Sequence, residues 1–140
     1  MTRKFILGLA GVAALAMAGT AHAEDFTAKL NGATEVPPTK SSGTGTATVD
    51  LDKATKTITY TITYSGLTGP AAAAHFHGPA AAGANAGVEV PIPVGPSPIK
   101  GTAKLTDAQM SDLESGKMYV NIHTAENKGG EIRGQVMPKM

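Results

Sequence analysis

Three histidines could form a metal site, although two lie in the middle of the chain and one near its end. His75 and His77 flank Phe76, and His123 follows Ile122. Alternate side chains of a strand share a face, so the first two imidazoles would lie about 7 Å apart while Phe76 enters the core. A third imidazole from a neighbouring strand would complete a set of three ligands around one ion. The sequence therefore predicts that His75, His77 and His123 meet.

The donor set limits the choice of metal. The chain has no cysteine, so no thiolate competes with the imidazoles. Three neutral imidazoles suit Cu(II) or Zn(II) and leave a position open to water or a ligand; we expect copper rather than zinc. Glu131 is predicted as a fourth ligand, or as the acceptor of a spare ring N–H. Asn121 and Tyr119 would support the site by hydrogen bonding.

Simpler explanations exist for the same residues. A His-x-His pair on a strand is often two surface side chains. His77 could hydrogen-bond the turn that follows it, and His123 could cap a hairpin. Glu131 and Arg133 could form an ordinary ion pair on one strand face, worth at most about 1 kcal/mol. Against these explanations, every histidine outside the N-terminal segment belongs to the proposed cluster.

The N-terminal segment, residues 1–23, has the pattern of a secretory signal peptide. Arg3 and Lys4 give a basic start, residues 5–18 are apolar, and residues 21–23 read Ala-His-Ala, a small-x-small cleavage site. The apolar stretch is shorter than the roughly 20 residues that span a membrane. We therefore expect a periplasmic or secreted protein with one domain, residues 24–140, and no membrane attachment after cleavage.

Composition excludes several classes of partner. The formal net charge is +1, and no basic stripe or arginine-rich segment is present, which argues against nucleic acid and against anionic lipid. There is no tryptophan, and Tyr and Phe number three each, so a platform for stacking bases or sugars has few components. The lack of cysteine also excludes a disulfide scaffold.

Alternating apolar and polar residues predict a sheet protein that would position the histidines. The clearest strand covers residues 57–64, with Ile and Tyr on one face and Thr on the other. Thr106 and Gln109 form a capping box for a helix over residues 107–115. Two prolines predict that residues 88–94 form an edge strand. The remaining predicted strands are residues 26–30, 44–51, 71–77, 99–105, 118–124 and 131–137. This pattern indicates an all-β fold, a Greek-key sandwich or flattened barrel with one short helix.

Motifs spread over most of the chain resemble the CHRD domain family, named for the domain repeated in chordin. The matching segments are 30–33, 35–38, 66–67, 74–79 and 116–124, together with Leu105, Leu113 and residues 130–135. The resemblance implies an immunoglobulin-like or superoxide-dismutase-like β-sandwich. The family motif includes the positions of His75, His77, His123, Glu131 and Arg133. Lys128 departs from the pattern, because a proline often precedes the glycine of the final hairpin.

The resemblance leaves function open. Chordin binds growth factors outside the cell, and nothing in this sequence supports such a partner. Our first hypothesis is an exported metal-binding module. The alternative is a metal-free structural or interaction module that contacts a protein partner, or itself, through its edge strands. A dismutase-like oxidoreductase is disfavoured, because a dinuclear site needs more than three histidines; whether the protein is an enzyme is left unassigned.

Overall fold

The computed structural model describes residues 23–140, which form eight antiparallel strands and one helix joined by loops. The predicted signal peptide, residues 1–23, lies outside the described residues except for Ala23. The elements in chain order are β1 (Ala23–Asn31), β2 (Thr44–Asp52), β3 (Thr57–Ser65), β4 (Ala73–His77), β5 (Val88–Ile92), β6 (Ile99–Lys104), α1 (Asp107–Glu114), β7 (Met118–His123) and β8 (Ile132–Pro138).

All eight strands belong to one sheet, which folds over on itself. The strand order is β5-β4-β7-β8-β1-β2-β3-β6, and every pair is antiparallel. Although β3 and β4 are far apart in this order, the rings of Tyr60 and Phe76 meet edge to face with centroids 5.5 Å apart. The two halves therefore enclose one core. The predicted all-β fold with a single short helix is confirmed, and β5 lies at an edge as its prolines predicted.

The inner face of the sheet carries the alternating apolar residues that the sequence pattern identified. In β3, Ile58, Tyr60 and Ile62 are buried, while the threonines between them are exposed or half-buried. Phe76 is fully buried between the two histidines of β4. Other large side chains that are fully buried are Leu30, Leu51, Leu113, Met118, Val120, Ile122 and Ile132. Each buried aliphatic side chain of this kind stabilises the fold by about 1.5–3 kcal/mol.

The helix α1 begins with the predicted capping box. The Thr106 hydroxyl accepts a hydrogen bond from the Gln109 N–H at 3.1 Å, and the Gln109 side chain accepts one from the Thr106 N–H at 2.9 Å. These contacts satisfy two backbone donors that a helix N-terminus leaves free. The Gln109 amide also donates to the Glu89 carbonyl at 2.9 Å, which fastens α1 to β5.

Two long connections lie over the outer face of β7 and β8. We call residues 32–43 and 78–87 the cover loops. The Thr39 hydroxyl donates to the Glu131 carbonyl at 2.8 Å, and the Ala80 N–H donates to the Lys117 carbonyl at 2.9 Å. This face is therefore largely enclosed. Three of its polar side chains are nearly inaccessible to solvent, since Tyr119 and Arg133 are 2 % exposed and Asn121 is 4 % exposed; His123 and Gln135 are half-buried.

Candidate metal centre

Strand pairing brings the three predicted histidines together on the outer face of β4 and β7. In the β4–β7 register, His75 is opposite Asn121 and His77 is opposite Tyr119, while His123 is opposite Ala73. His123 is therefore the diagonal neighbour of His75. One ring nitrogen from each histidine lies within 4.8 Å of the others. His77 is 9 % exposed, and the other two rings are half-buried, so the cluster opens to solvent on one side.

The separation of one pair of ring nitrogens fits coordination of a single ion. His75 Nδ1 lies 3.3 Å from His123 Nε2. Two nitrogens that each lie about 2.0–2.1 Å from one tetrahedral ion are separated by about 3.3–3.4 Å. The His75 ring is also perpendicular to the other two, with centroids 5.3 Å from His77 and 5.1 Å from His123. The rings thus approach a common centre from different directions instead of stacking.

Backbone carbonyls determine which nitrogen of two of the rings is free. His77 Nδ1 lies 3.0 Å from the Ala86 carbonyl oxygen, and His123 Nδ1 lies 2.8 Å from the Lys128 carbonyl oxygen. A carbonyl oxygen only accepts, so each Nδ1 carries the proton and each neutral ring keeps its lone pair on Nε2. Both Nε2 atoms are directed at the same place, since each lies 3.0 Å from Asn121 Oδ1.

Burial favours the neutral rings that metal binding requires. Burial lowers the pKa of His75, and the charges of His123 and His77 lower it further. Burial also lowers the pKa of His77, although its hydrogen bonds to Ala86 and Asn121 act in the opposite direction. The lowered pKa values favour the neutral form of both rings, in which one nitrogen carries a lone pair and the other a proton.

A stack of three side chains fixes the plane of the His77 ring. The ring lies parallel to that of Tyr119, with centroids 4.8 Å apart, and the Arg133 guanidinium carbon lies 3.5 Å from the Tyr119 centroid. The Tyr119 hydroxyl accepts from the Ala86 N–H at 3.0 Å and donates to the Ala86 carbonyl at 3.1 Å. Arg133 donates to Asn85 Oδ1 at 2.8 Å and to the Ala84 carbonyl. The same contacts therefore hold the second cover loop over the histidines.

Glu131 is not part of the histidine cluster. Its carboxylate is fully buried and accepts hydrogen bonds from Ser41 Oγ at 2.9 Å, Thr124 Oγ1 at 2.8 Å, Asn127 Nδ2 at 3.0 Å and the Thr68 N–H at 3.0 Å; the Thr68 hydroxyl also donates to it. Burial alone would raise the pKa of Glu131, but these hydrogen bonds lower it to about 2. The Nδ1–H groups of His77 and His123 are bound by backbone carbonyls and not by Glu131. Arg133, which could have paired with Glu131, lies over the Tyr119 ring instead.

Glu35 is a buried acid beside the site that the sequence reading did not single out. It is 3 % exposed, and its Oε1 atom has no hydrogen-bond partner among the described residues. Burial raises the pKa of Glu35 to about 7, even though the Arg133 charge and a hydrogen bond with the Asn121 side chain lower it. Gly130, at φ +120°, leaves room for this carboxyl, since a Cβ there would lie 2.6 Å from Glu35 Oε2. Residues 35–38 were among the motifs that resemble the family, but a glutamate next to Val36-Pro37-Pro38 looks like an ordinary loop residue, so it was not assigned to the site.

We expect Glu35→Gln to be more stable than the wild-type protein at pH 8, by about 2 kcal/mol, and to differ little from it at pH 4.5. The folded pKa of about 7 lies above the ordinary glutamate pKa of 4.5. As pH rises, the unfolded chain therefore releases the Glu35 proton at a lower pH than the folded protein does. The free energy of unfolding of the wild-type protein falls as a result, until pH has passed through about 7. Urea unfolding at both pH values measures the difference.

The matched control for this prediction is Glu126→Gln, because Glu126 is an exposed glutamate. The control should keep the wild-type pH dependence. If Glu35→Gln also kept it, Glu35 would not be the buried acid that costs stability at high pH.

Comparison with known proteins assigns the chain to a family. No described helix is long and apolar enough to cross a membrane. Searches of curated proteins and of solved structures return no significant match. The family model of the CHRD domain matches residues 26–136, which include every strand in whole or in part, the helix and the three histidines. The chain therefore belongs to the CHRD domain family.

Proposed function

We propose that this protein is an exported metal-binding module that holds Cu(II), or alternatively Zn(II), on His75, His77 and His123. The observation that carries the proposal is the direction of the lone pairs. His77 and His123 each donate Nδ1–H to a backbone carbonyl, so their Nε2 lone pairs are available to a metal ion. The Nε2 atom of His123 lies 3.3 Å from Nδ1 of His75. Ligating histidines in proteins commonly have their second nitrogen held in this way.

Ligand chemistry favours copper over zinc in this proposal. Imidazole sites bind Cu(II) more tightly than Zn(II) when geometry allows both, and the sequence offers no thiolate to select a softer ion. Three protein ligands and partial solvent access suit binding, storage or delivery of an exchangeable ion, because incoming ligands can reach the metal. We also propose that the basic, apolar and Ala-His-Ala features of residues 1–23 direct the chain to the periplasm or outside the cell.

The proposal is tested by unfolding the protein with and without metal. Free Cu(II) at a hundredfold excess over its dissociation constant should raise the free energy of unfolding by about 2.7 kcal/mol, because the ion binds only the folded state. The double variant His75→Ala/His123→Ala should lose this stabilisation, and a chelator should reverse it in the wild-type protein. Calorimetric titration should give one ion per chain.

Glu126→Gln is the matched control, since it removes an exposed carboxylate from the same hairpin and leaves the three rings in place. It should keep the full response to copper. A wild-type protein that shows no response to copper or zinc, or a double variant that keeps it, would reject the site and favour the metal-free interaction module.

A further inference from the structure

Asn121 lies at the centre of the three-histidine cluster. It belongs to β7, between His75 on β4 and Arg133 on β8 in the strand register. Its Oδ1 atom lies 3.0 Å from His77 Nε2 and 3.0 Å from His123 Nε2. Two nitrogens and an oxygen therefore share one small volume in the buried part of the site.

The Glu35 carboxyl is close to the Asn121 amide. The two side chains lie near enough for Asn121 to lower the pKa of Glu35. Because the amide oxygen is directed at the two imidazoles, the amide NH₂ group is the donor that remains for the Glu35 carboxyl. Glu35 belongs to the cover loop of residues 32–43 and is buried. Its carboxyl occupies the space that a Cβ on Gly130 would need.

This arrangement brings acceptors together with too few donors: His75 Nδ1 can donate to His123 Nε2 at 3.3 Å, but His77 Nε2 and Asn121 Oδ1 remain 3.0 Å apart with no proton between them. The Nδ1–H groups of His77 and His123 are already donated to Ala86 and Lys128, so a neutral ring at either position offers only a lone pair at Nε2. The Asn121 amide oxygen adds further lone pairs at the same point. Converging acceptors in a buried site are unfavourable unless a positive centre lies among them.

We propose that Asn121 Oδ1 is the fourth donor to the metal, which makes the site a three-nitrogen, one-oxygen set that selects a divalent ion over Cu(I). This inference rests on the proposed function. A carbonyl-type oxygen is a hard donor that suits divalent ions, whereas Cu(I) is selected by thiolate and thioether sulfur. Glu35 is the positioning residue, since it orients the amide without touching the ion.

The test compares affinities for Cu(II) and Cu(I), measured by competition with chelators specific for each oxidation state. Asn121→Leu keeps the side-chain shape and removes the oxygen; it should weaken Cu(II) binding by about tenfold or more. Its Cu(I) affinity should change less than threefold. In the double variant Asn121→Asp/Glu35→Gln, the carboxylate at position 121 supplies an oxygen to the metal and the amide at position 35 can donate to it. This variant should therefore bind Cu(II) as the wild-type protein does.

A second measurement uses the wild-type protein alone, in case Asn121→Leu does not fold. With ¹³C-labelled asparagine, pulsed electron paramagnetic resonance of the Cu(II) protein should show coupling to one side-chain carbonyl carbon. Failure of the wild-type protein to bind any copper would reject the three-histidine site itself. If the wild-type protein binds copper but shows no ¹³C coupling, only the role of Asn121 is rejected. The same conclusion follows if folded Asn121→Leu binds Cu(II) as tightly as the wild-type protein does.

Discussion

Replacing Glu131 by alanine is expected to lower the free energy of unfolding by roughly 3 to 5 kcal/mol. The Glu131 carboxylate is fully buried and accepts hydrogen bonds from Ser41, Thr68, Thr124 and Asn127. Alanine would leave these donors facing a cavity, and each buried donor without a partner costs about 1–3 kcal/mol. Urea unfolding at pH 7 measures the loss.

The pH dependence separates the charge of Glu131 from its size. Its folded pKa of about 2 lies below the ordinary glutamate pKa of 4.5, so its stabilisation is present above pH 4.5 and is lost as pH falls towards 2. Glu131→Gln should lack this acid-induced loss. The exposed control Glu126→Ala should stay within about 0.5 kcal/mol of the wild-type protein at pH 7. A Glu131→Ala variant as stable as that control would contradict the assignment.

The Glu131 carboxylate matters for the candidate site because it holds the hairpin between β7 and β8. Thr124 and Asn127 bind the carboxylate, and the Asn127 carbonyl accepts from the Gly130 N–H at 3.1 Å. The same hairpin carries the Lys128 carbonyl that fixes the tautomer of His123. A residue predicted as a metal ligand therefore supports the histidine cluster from a distance, through the backbone of this hairpin.

Strand periodicity allowed the positions of the three histidines to be predicted. The alternation that buries Ile58, Tyr60 and Ile62 in β3 is visible in the sequence, and so is the apolar Phe76 between two polar neighbours. Side chains with period two can lie only on alternate faces, so the outward direction of His75 and His77 followed directly. The pairing of β4 with β7 was an assumption, because a single sequence carries no information on which strands are neighbours.

The enclosure of the site could not be predicted in the same way. The cover loop of residues 78–87 consists of glycine, alanine, proline and one asparagine, and it contacts the site mainly through the Ala84 and Ala86 backbone. Backbone carbonyls have no sequence signal, since every residue has one. For the same reason the burial of Tyr119 and Arg133 beneath this loop could not be predicted. Glu35 was missed because only the folded loop reveals its burial.

Gly134→Ala is expected to destabilise the protein by roughly 3 kcal/mol, because β8 and β1 approach each other closely at this point. A Cβ on Gly134 would overlap the Lys29 carbonyl oxygen and lie 2.7 Å from its carbonyl carbon. These are backbone atoms of β1, so relief requires the two strands to separate instead of a side chain rotating away. The neighbouring Arg133 would move with β8, so the variant should also weaken any copper response.

Gly129→Ala is the matched control, since a Cβ at Gly129 has no atom within 4 Å. It should change the free energy of unfolding by less than about 1 kcal/mol. Thermal and urea unfolding of both variants distinguish strand contact from a general cost of replacing glycine. Equal stability of the two variants would mean that β1 can move away from β8 at little cost. In that case the close contact between these strands would not hold Arg133, Tyr119 and the His77 ring in register.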